Sequence, residues 1–460
     1  MDETRLEALV RKKGLELKWE QTETTTWEDG PRVFVLNSGS RSKKLGLQSL
    51  KGFSVCDVRG LPVDFSLSDY AQLALAFLSH QGYLGDRDTI GGIDSISFRS
   101  GAGLRPVRKL GVYALDNEMI ADLKEPTFKH DSNSDGLVAH ILSRMGERGN
   151  IPCYTRDLIT TDQLDVSARF SGLPEVQVEC RAHFLNMTAA LREVLRQNTY
   201  KGIEFDEMDA LVVHLGGGIG IAGFRNGRYM DFADAAGEMP SETRAGGIHL
   251  NPLSVAKYVA RNVLEKRFSH EGAQKWVVES FMKNSGLKGY LNTADVKTIA
   301  EISTSPEKAK AHYETNRGFF QNLFLRCGDL PKGVSCEEAV QNLANNALDS
   351  LVYNIEAGIG KIYGGVFKFQ PPRAVIVTGN LLYQPAIERR IFRDGGAINN
   401  LNLYCGINVE PAPGQQEMKS LLWASIPDLE ESCGGPGKFL SYAKERYNPR
   451  NLIFVKRKED

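Results

Sequence analysis

Three short stretches of this 460-residue chain carry residue types suited to holding phosphate. Residues 211 to 223 read LVVHLGGGIGIAG, an apolar run with one histidine, His214, followed by glycines that include a G-x-G-x-x-G from Gly218 to Gly223. Backbone N–H groups can approach an anion there because Gly216, Gly217 and Gly218 put no side chain in the way. Residues 37 to 42, NSGSRS, offer an amide (Asn37), hydroxyls (Ser38, Ser40, Ser42) and backbone donors, and residues 378 to 380, TGN, form a third such turn at the end of an apolar run. Glycines of this kind also serve sharp turns beside packed backbone with no ligand, and the glycine run alone does not choose between the two. A second chemistry comes from Arg99, in ISFRSG, and Arg244, in SETRAG. In small-residue loops a planar, five-donor guanidinium can clasp carboxylate or phosphoryl oxygens, although a surface ion pair is the commoner fate of a loop arginine.

The elements around these stretches narrow the choice. A dinucleotide fingerprint needs its glycine turn to open a helix, with an acidic residue about 20 positions later. Here the turn runs into IAGFRNGRYMDF, whose Asn226-Gly227 pair and β-branched and aromatic residues read as a hairpin, so the G-x-G-x-x-G is a coincidental match. No Walker A loop, G-x-x-x-x-G-K-[ST], is present. VFVLNSG is the first buried strand, and the fold proper starts near Pro31 after a charged extension that reads as helical. Apolar spacing predicts helices over 68–83, 136–147 and 178–198, a mostly helical stretch over 252–364, and a helix at IERRIF; AVIVTG and LYCGINVEPAPG read as strands, the latter with a loop. VFVLNSGSRSKKLGL and LVVHLGGGIGIAGFRNG share one plan, strand, polar residue, small-residue turn, strand, which predicts one phosphate-facing turn in each of two lobes. The alternation of strand-rich and helical stretches indicates an α/β protein.

Composition excludes several classes. The length exceeds what one ordinary core serves, so two domains or lobes are expected. A net charge of −1 gives no electrostatic reason to expect nucleic acid or an anionic membrane as partner, and no apolar run is long enough to span a bilayer. The N-terminal thirty residues lack the uninterrupted apolar core of a secretory signal, and seven scattered cysteines without a C-x-x-C argue against zinc and a disulfide framework. The expected location is the cytoplasm.

Two such turns plus the strand-end turn at Thr378, Gly379 and Asn380 match the layout of the actin-like ATPase and sugar kinase superfamily. N-x-G-S-x-S-x-K at Asn37 to Lys44, H-L-G-G-G at His214 to Gly218 and S-E-T-R-A-G at Ser241 to Gly246 resemble the butyrate kinase and acetate kinase family, with butyrate kinase nearest. The likeness continues, in family order along about 30 to 425, through HDSN, IPCYTRD, RAHFLN, LKGYLNTADVKTI and PGQQEM. The resemblance implies a two-lobed actin-like α/β fold, a duplicated ribonuclease H-like unit with a nucleotide cleft between the lobes. Its expected domains are an extension at 1–30, a first domain at 31–170 completed by 420–460, and a second at 171–419 with the helical insertion at 252–364.

The implied reaction is reversible phosphoryl transfer from ATP to a short-chain carboxylate, giving ADP and an acyl phosphate. It asks the protein mainly for positioning and for positive charge around the phosphoryl group. By resemblance Arg99 and Arg244 are the two catalytic arginines, His183 contacts the phosphoryl group in flight, and Asp157 lies near the substrate and that group. Arg99, His130 and Asn133 would take the acid; Asn37, Ser40, Lys44, His214, Gly216, Gly217, Gly218, Thr378, Gly379 and Asn380 the nucleotide. Asn37 and Glu417 are the candidates to orient Mg2+, a hard cation that takes oxygen ligands and keeps several waters. A homodimer or larger homo-oligomer is expected. The alternatives are an acetate, propionate or branched-chain acid kinase, or an ATP-binding relative without transfer activity. Departures from the family pattern are the Ser-Gly-Ala-Gly after Arg99 and Asn380 in place of a glycine.

Overall fold

The structure, a computed structural model, describes residues 4–22, 32–38, 42–49, 52–62, 64–101, 103–125, 133–173, 176–178, 180–195, 197–234, 240–246, 252–266, 268–327, 333–393, 396–398, 408–411 and 444–445. It divides into two compact units, Met1–Ala189 with Gln415–Asp460, and Ala190–Gly414. The calls on Ser40, His130 and Glu417 lie outside the described residues.

The first unit holds a sheet of β1 (Glu16–Thr22), β2 (Val33–Ser38), β3 (Lys43–Ser49), β4 (Gly52–Arg59), β5 (Ser95–Phe98), β6 (Val112–Ala114) and β7 (Cys153–Arg156), in the order β1-β4-β3-β2-β5-β7-β6, with Lys444–Glu445 pairing beyond β6. A separate ribbon pairs β8 (Phe170–Leu173) with β9 (Val176–Gln177). Its helices are α1 (Arg5–Lys13), α2 (Leu67–His80), α3 (Asn117–Lys124), α4 (Asn133–Ser143) and the start of α5 (Phe184–Leu195). All six residues of β2 are buried, an apolar run from Val33 to Leu36 followed by the polar Asn37 and Ser38. Phe34 and Leu36 join the core formed with α2 and α4, while Val33 and Val35 pack with Phe53, Val55 and Leu185.

The N-terminal stretch differs from the helical extension expected. Helix α1 has a Thr4/Glu7 capping box and stops at Gly14, after which ELKWEQT forms β1, antiparallel to β4. Leu17, partly buried, packs against the main core and the exposed Trp19 stacks on Phe77 at 5.7 Å between ring centroids, so one face of a charged strand covers the edge of the core. Helix α4 starts earlier than expected, at Asn133, and α5 later, at Phe184, because Arg181, Ala182 and His183 stay non-helical.

The second unit has β10 (Ala210–Leu215), β11 (Ile219–Arg225), β12 (Arg228–Asp234), β13 (Ala374–Thr378) and β14 (Asn408–Pro411), in the order β12-β11-β10-β13-β14. Its helices are α6 (Pro252–Lys266), α7 (His270–Met282), α8 (Gly286–Leu291), α9 (Val296–Thr304), α10 (Pro306–Thr315), α11 (Arg317–Cys327), α12 (Cys336–Gly365) and α13 (Pro385–Ile391). The glycine turn opens β11, not a helix, and the last glycine of the G-x-G-x-x-G serves packing. A Cβ on Gly223 would come within 2.8 Å of Val366 and 2.9 Å of Ile362, at the end of α12.

The two sheets repeat one plan. β2, β3 and β4 form an antiparallel meander, with β5 parallel to β2 and β7 parallel to β5; β10, β11 and β12 do the same, with β13 parallel to β10 and β14 parallel to β13. The shared plan of the two sequence stretches is therefore a shared topology.

Candidate active site

In open α/β sheets ligands gather at the C-terminal ends of parallel strands. In the first unit Arg99 is the residue directly after β5, and its N–H donates to Leu36 O at 2.9 Å. Its guanidinium Nη1 donates to Ser38 O at 3.1 Å, at the end of β2. The loop that follows is pinned twice: Ile159 N–H donates to Ser100 Oγ at 3.2 Å, and Gly103 N–H donates to Asn133 Oδ1 at 3.2 Å. A Cβ on Gly101 would stand 1.5 Å from Asn133 Oδ1, so the absence of a side chain at 101 is what lets α4 close on this loop. Asn133, expected at the acid, thus holds the backbone that carries Arg99.

Asp157 directly follows β7, in the left-handed region at φ 44°. Its N–H donates to Gly111 O at 2.8 Å, its Oδ1 accepts from Gly111 N–H at 2.9 Å, its Oδ2 accepts from the Thr188 hydroxyl at 2.7 Å, and Arg156 Nε lies 3.6 Å from Oδ2. Left-handed backbone costs a side-chain-bearing residue roughly 1–2 kcal/mol, and such residues persist where their surroundings fix them, often at functional sites. Here four contacts fix a buried carboxylate at a strand end. His183, half-buried, precedes α5, and its carbonyl accepts from the N–H groups of Asn186 and Met187, both at 3.1 Å. Thr188, one turn further along α5, is the residue bonded to Asp157. Arg99, Asn133, Asp157 and His183 are therefore joined by short chains of hydrogen bonds within one unit.

Asn37, Lys44 and Asp57 lie opposite one another across β2, β3 and β4, with Asn37 and Asp57 buried and Lys44 half-buried. Side chains directly opposite on neighbouring strands share a face. Lys44 thus stands between an amide and a carboxylate, and Arg59 Nη2 holds that carboxylate at 2.8 Å.

In the second unit Leu215 pairs with Ile219 and closes the loop Gly216-Gly217-Gly218. Gly216 N–H donates to Gly218 O at 3.2 Å, so this amide is turned into the loop. The absence of a side chain at 216 has a steric cause. A Cβ there would come 2.6 Å from Nε2 of His214, so the glycine makes room for the buried imidazole. His214 pairs with Thr378 across β10 and β13, and Gly379, at φ 108°, lies so close to Leu215 that a Cβ would meet its carbonyl oxygen at 2.3 Å. The glycine turn and the Thr378 turn therefore abut, with Asn380 exposed at the start of the turn Asn380–Tyr383. Gly379→Ala is expected to raise the KM for ATP about tenfold and to cost on the order of 2 kcal/mol; steady-state kinetics and thermal denaturation check this, and an unchanged KM would separate the turn from nucleotide.

Arg244 is carried by a third device. The carbonyls of Ser241, Glu242 and Thr243 accept the N–H groups of Leu287, Lys288 and Ser285 at 3.2, 2.9 and 3.1 Å. The loop thus satisfies amides at the start of α8 that a helix N-terminus leaves without internal partners. Ser241 N–H donates to Arg244 O at 3.1 Å and Ala245 N–H to Phe281 O at 2.9 Å, which closes the loop around the arginine.

Sequence reasoning did not single out Thr188, Tyr70, Lys43 or Asp135. Thr188 lies five residues after His183 in the helix that the pattern did predict. Among the described residues no group of three or more His, Cys, Asp or Glu is arranged to hold a metal, and no helix is long and apolar enough to cross a membrane.

No family model matches the chain. It is 32% identical over 211 residues to a protein named probable butyrate kinase from Clostridium botulinum (strain Alaska E43 / Type E3), a match covering 45% of this chain and 55% of that one. The chain thus spans about half the length of that first relative. It is 25% identical over 401 residues to probable butyrate kinase 2 of Caldanaerobacter subterraneus subsp. tengcongensis, covering 85% of this chain and 94% of the relative. Among solved structures it is similar to the acetate kinase of Entamoeba histolytica, with a TM-score of 0.58 at 15% identity, covering 87% of this chain and 100% of that one. That last likeness is one of fold: the chain has the duplicated α/β architecture expected from the resemblance.

Proposed function

We propose that the protein is an ATP-dependent carboxylate kinase, acting reversibly on butyrate or an acid of similar size to form an acyl phosphate. The observation that carries this reading is the bonding of the Arg99 loop to the loop of Asp157, at the ends of β5 and β7, in a chain similar to butyrate kinases over most of its length.

In the transfer a carboxylate oxygen of the acid attacks the γ-phosphorus of ATP. The P–O bond to the β,γ-bridging oxygen breaks, and ADP leaves with the electron pair. The acid is already ionised at neutral pH, so no general base is required. What the reaction needs is alignment and positive charge on oxygens that gain or move charge. Arg99 and Arg244 supply that charge from anchored loops, and His183 adds a hydrogen bond to the phosphoryl group. Asp157 orients the end of β7 beside the Arg99 loop, and His130 with Asn133 completes the acid's surroundings. The turns at Gly216–Gly218 and Thr378–Asn380, with Asn37, Ser40, Lys44 and His214, take the nucleotide's phosphates. Asn37 and Glu417 are the residues that would hold Mg2+, a hard cation suited to one or two protein oxygens beside phosphates, and it would supply positive charge to the phosphate oxygens.

The test is an acyl-hydroxamate assay with ATP, Mg2+ and acids from acetate to hexanoate and isobutyrate. Turnover peaking at butyrate or a branched neighbour is the expected result. ATP binding with no hydroxamate from any acid would reject the kinase and leave a nucleotide-binding relative without transfer activity.

A further inference from the structure

We propose that Asp135 is a positioning residue that sets Arg99 through Ser38. The inference rests on the kinase reading only for the reaction in which it is first measured. Asp135 lies in the first turn of α4 and is fully buried. Its Oδ2 accepts from Ser38 N–H at 2.7 Å, and its Oδ1 accepts from the Ser38 hydroxyl and from Tyr70 OH, the latter at 2.8 Å. Lys43, paired with Ser38 across β2 and β3, donates Nζ to Ser38 Oγ at 2.7 Å and to Ser134 Oγ at 3.2 Å, and lies 4.7 Å from the centroid of the Tyr70 ring. Ser38 is thereby held at its N–H and its hydroxyl, and its carbonyl is the one that accepts from Arg99.

Two further contacts tie α4 to the same arginine. Gly136 lets the helix lie on β5, since a Cβ there would come 2.5 Å from Leu123 Cδ1 and 3.0 Å from Phe98, the residue before Arg99. Asn133 accepts from the loop after Arg99, at Gly103 N–H. The first turn of α4 thus sets both the carbonyl beneath the guanidinium and the backbone that follows it.

Stability alone is a weak reason to keep this cluster, because removing two charges from water offsets most of what a buried ion pair gains. Burial pushes the Asp135 carboxyl up from the usual carboxylate range, against the pull of the Lys43 ammonium and of the bonds from Ser38 and Tyr70. Asparagine keeps the shape of the carboxylate but leaves the buried Lys43 ammonium without that negative charge, so Asp135→Asn is expected to lose stability, whereas Tyr70→Phe leaves the charges in place. Asparagine also puts an N–H2 group where one of the two acceptor oxygens stood, which breaks the clamp on Ser38.

The experiment is a double-mutant cycle on the full chain, with Asp135→Asn and Tyr70→Phe each made alone and with Arg99→Ala. If Asp135 acts through Arg99, Asp135→Asn lowers kcat about tenfold with the KM for ATP unchanged within about twofold, and lowers the residual rate of Arg99→Ala by less than about twofold. Equal fold-losses in both backgrounds would overturn the proposal. Should Asp135→Asn fail to fold, Tyr70→Phe, which deletes one hydroxyl and keeps the ring, carries the same cycle with a loss of about threefold expected in the Arg99 background. A readout independent of turnover separates this proposal from the kinase reading: phenylglyoxal modification of Arg99, followed by peptide mass spectrometry. A several-fold faster reaction at Arg99 in either variant, with other arginines unchanged, upholds the positioning role even if no acid is phosphorylated. An unchanged rate at Arg99 rejects it.

Discussion

Arg99→Ala and Arg244→Ala are each expected to lower kcat for acyl phosphate formation by about three orders of magnitude while the Kd for ATP moves by less than about threefold. The asymmetry follows from where charge develops. On the proposed reading the phosphates of ATP would be met by backbone amides and Mg2+, whereas the equatorial oxygens of the transferring group and the acid's carboxylate call for donors fixed in advance. Both guanidiniums ride on anchored backbone: Arg99 directly after β5 with its N–H on Leu36, Arg244 in a loop held to the start of α8. That anchoring spares the reorganisation a mobile side chain would need. Arg99→Lys is expected to recover little, since an ammonium cannot reproduce a planar fork that donates at once to Ser38 O and to a substrate. Hydroxamate kinetics and nucleotide binding on the same preparations decide the matter; near wild-type turnover in both alanine variants would sink the assignment.

The parts of the fold that local pattern encodes were legible in the sequence. The hairpin at Asn226-Gly227, the buried runs of β2, β10 and β13, and the helical block after Pro252 all carry their own periodicity or turn chemistry. β1 was missed: Leu17 and Trp19 alternate with charged residues, but the many charges of the extension made the stretch read as helical. The start of α5 was not legible either, because Val178 and Cys180 to His183 have helix-compatible types but are non-helical, with Val178 N–H donating to Arg169 O at 3.2 Å. The same distinction divides the candidate site. Arg99, Arg244 and the glycine turns sit in short, recognisable strings. The Asp135 cluster joins residues 65 and 97 positions apart in sequence, and no local pattern states that Tyr70 and Ser38 meet one carboxylate. Nor does the sequence separate a glycine kept for an anion from one kept for room. Gly216 is required by the imidazole of His214 and Gly223 by α12.

The repeated topology gives those scattered residues one order. In local terms each unit runs meander, crossover, strand, crossover, strand, and the residue after the fourth strand is Arg99 in one unit and Gly379 in the other. In the first unit that position carries a guanidinium held on the neighbouring strand's carbonyl; in the second it carries no side chain and packs on the neighbouring strand's backbone. One position of a duplicated frame thus carries a charge in one copy and a close backbone approach in the other.

Gly286→Ala is expected to reduce kcat about a hundredfold although Gly286 itself is assigned no part in the chemistry. At φ 60° an added Cβ would stand 2.0 Å from Ser241 O, 2.7 Å from Arg244 O and 2.9 Å from Arg244 N. These are backbone atoms and cannot swing aside, so the loop must leave α8 and give up the carbonyl–amide bonds that hold it. Left-handed backbone costs alanine roughly 1–2 kcal/mol, and each of the three lost bonds about 1 kcal/mol, so a destabilisation of about 4–5 kcal/mol accompanies the kinetic loss. Gly82→Ala isolates the first of these effects: Gly82 is also left-handed, at φ 80°, but a Cβ there meets nothing within 4 Å. Both variants should therefore lose stability, and only Gly286→Ala should lose turnover at a temperature where each is fully folded. If their kcat values agree within about twofold there, displacing the loop backbone does not disturb Arg244, and this anchoring is not what sets the arginine.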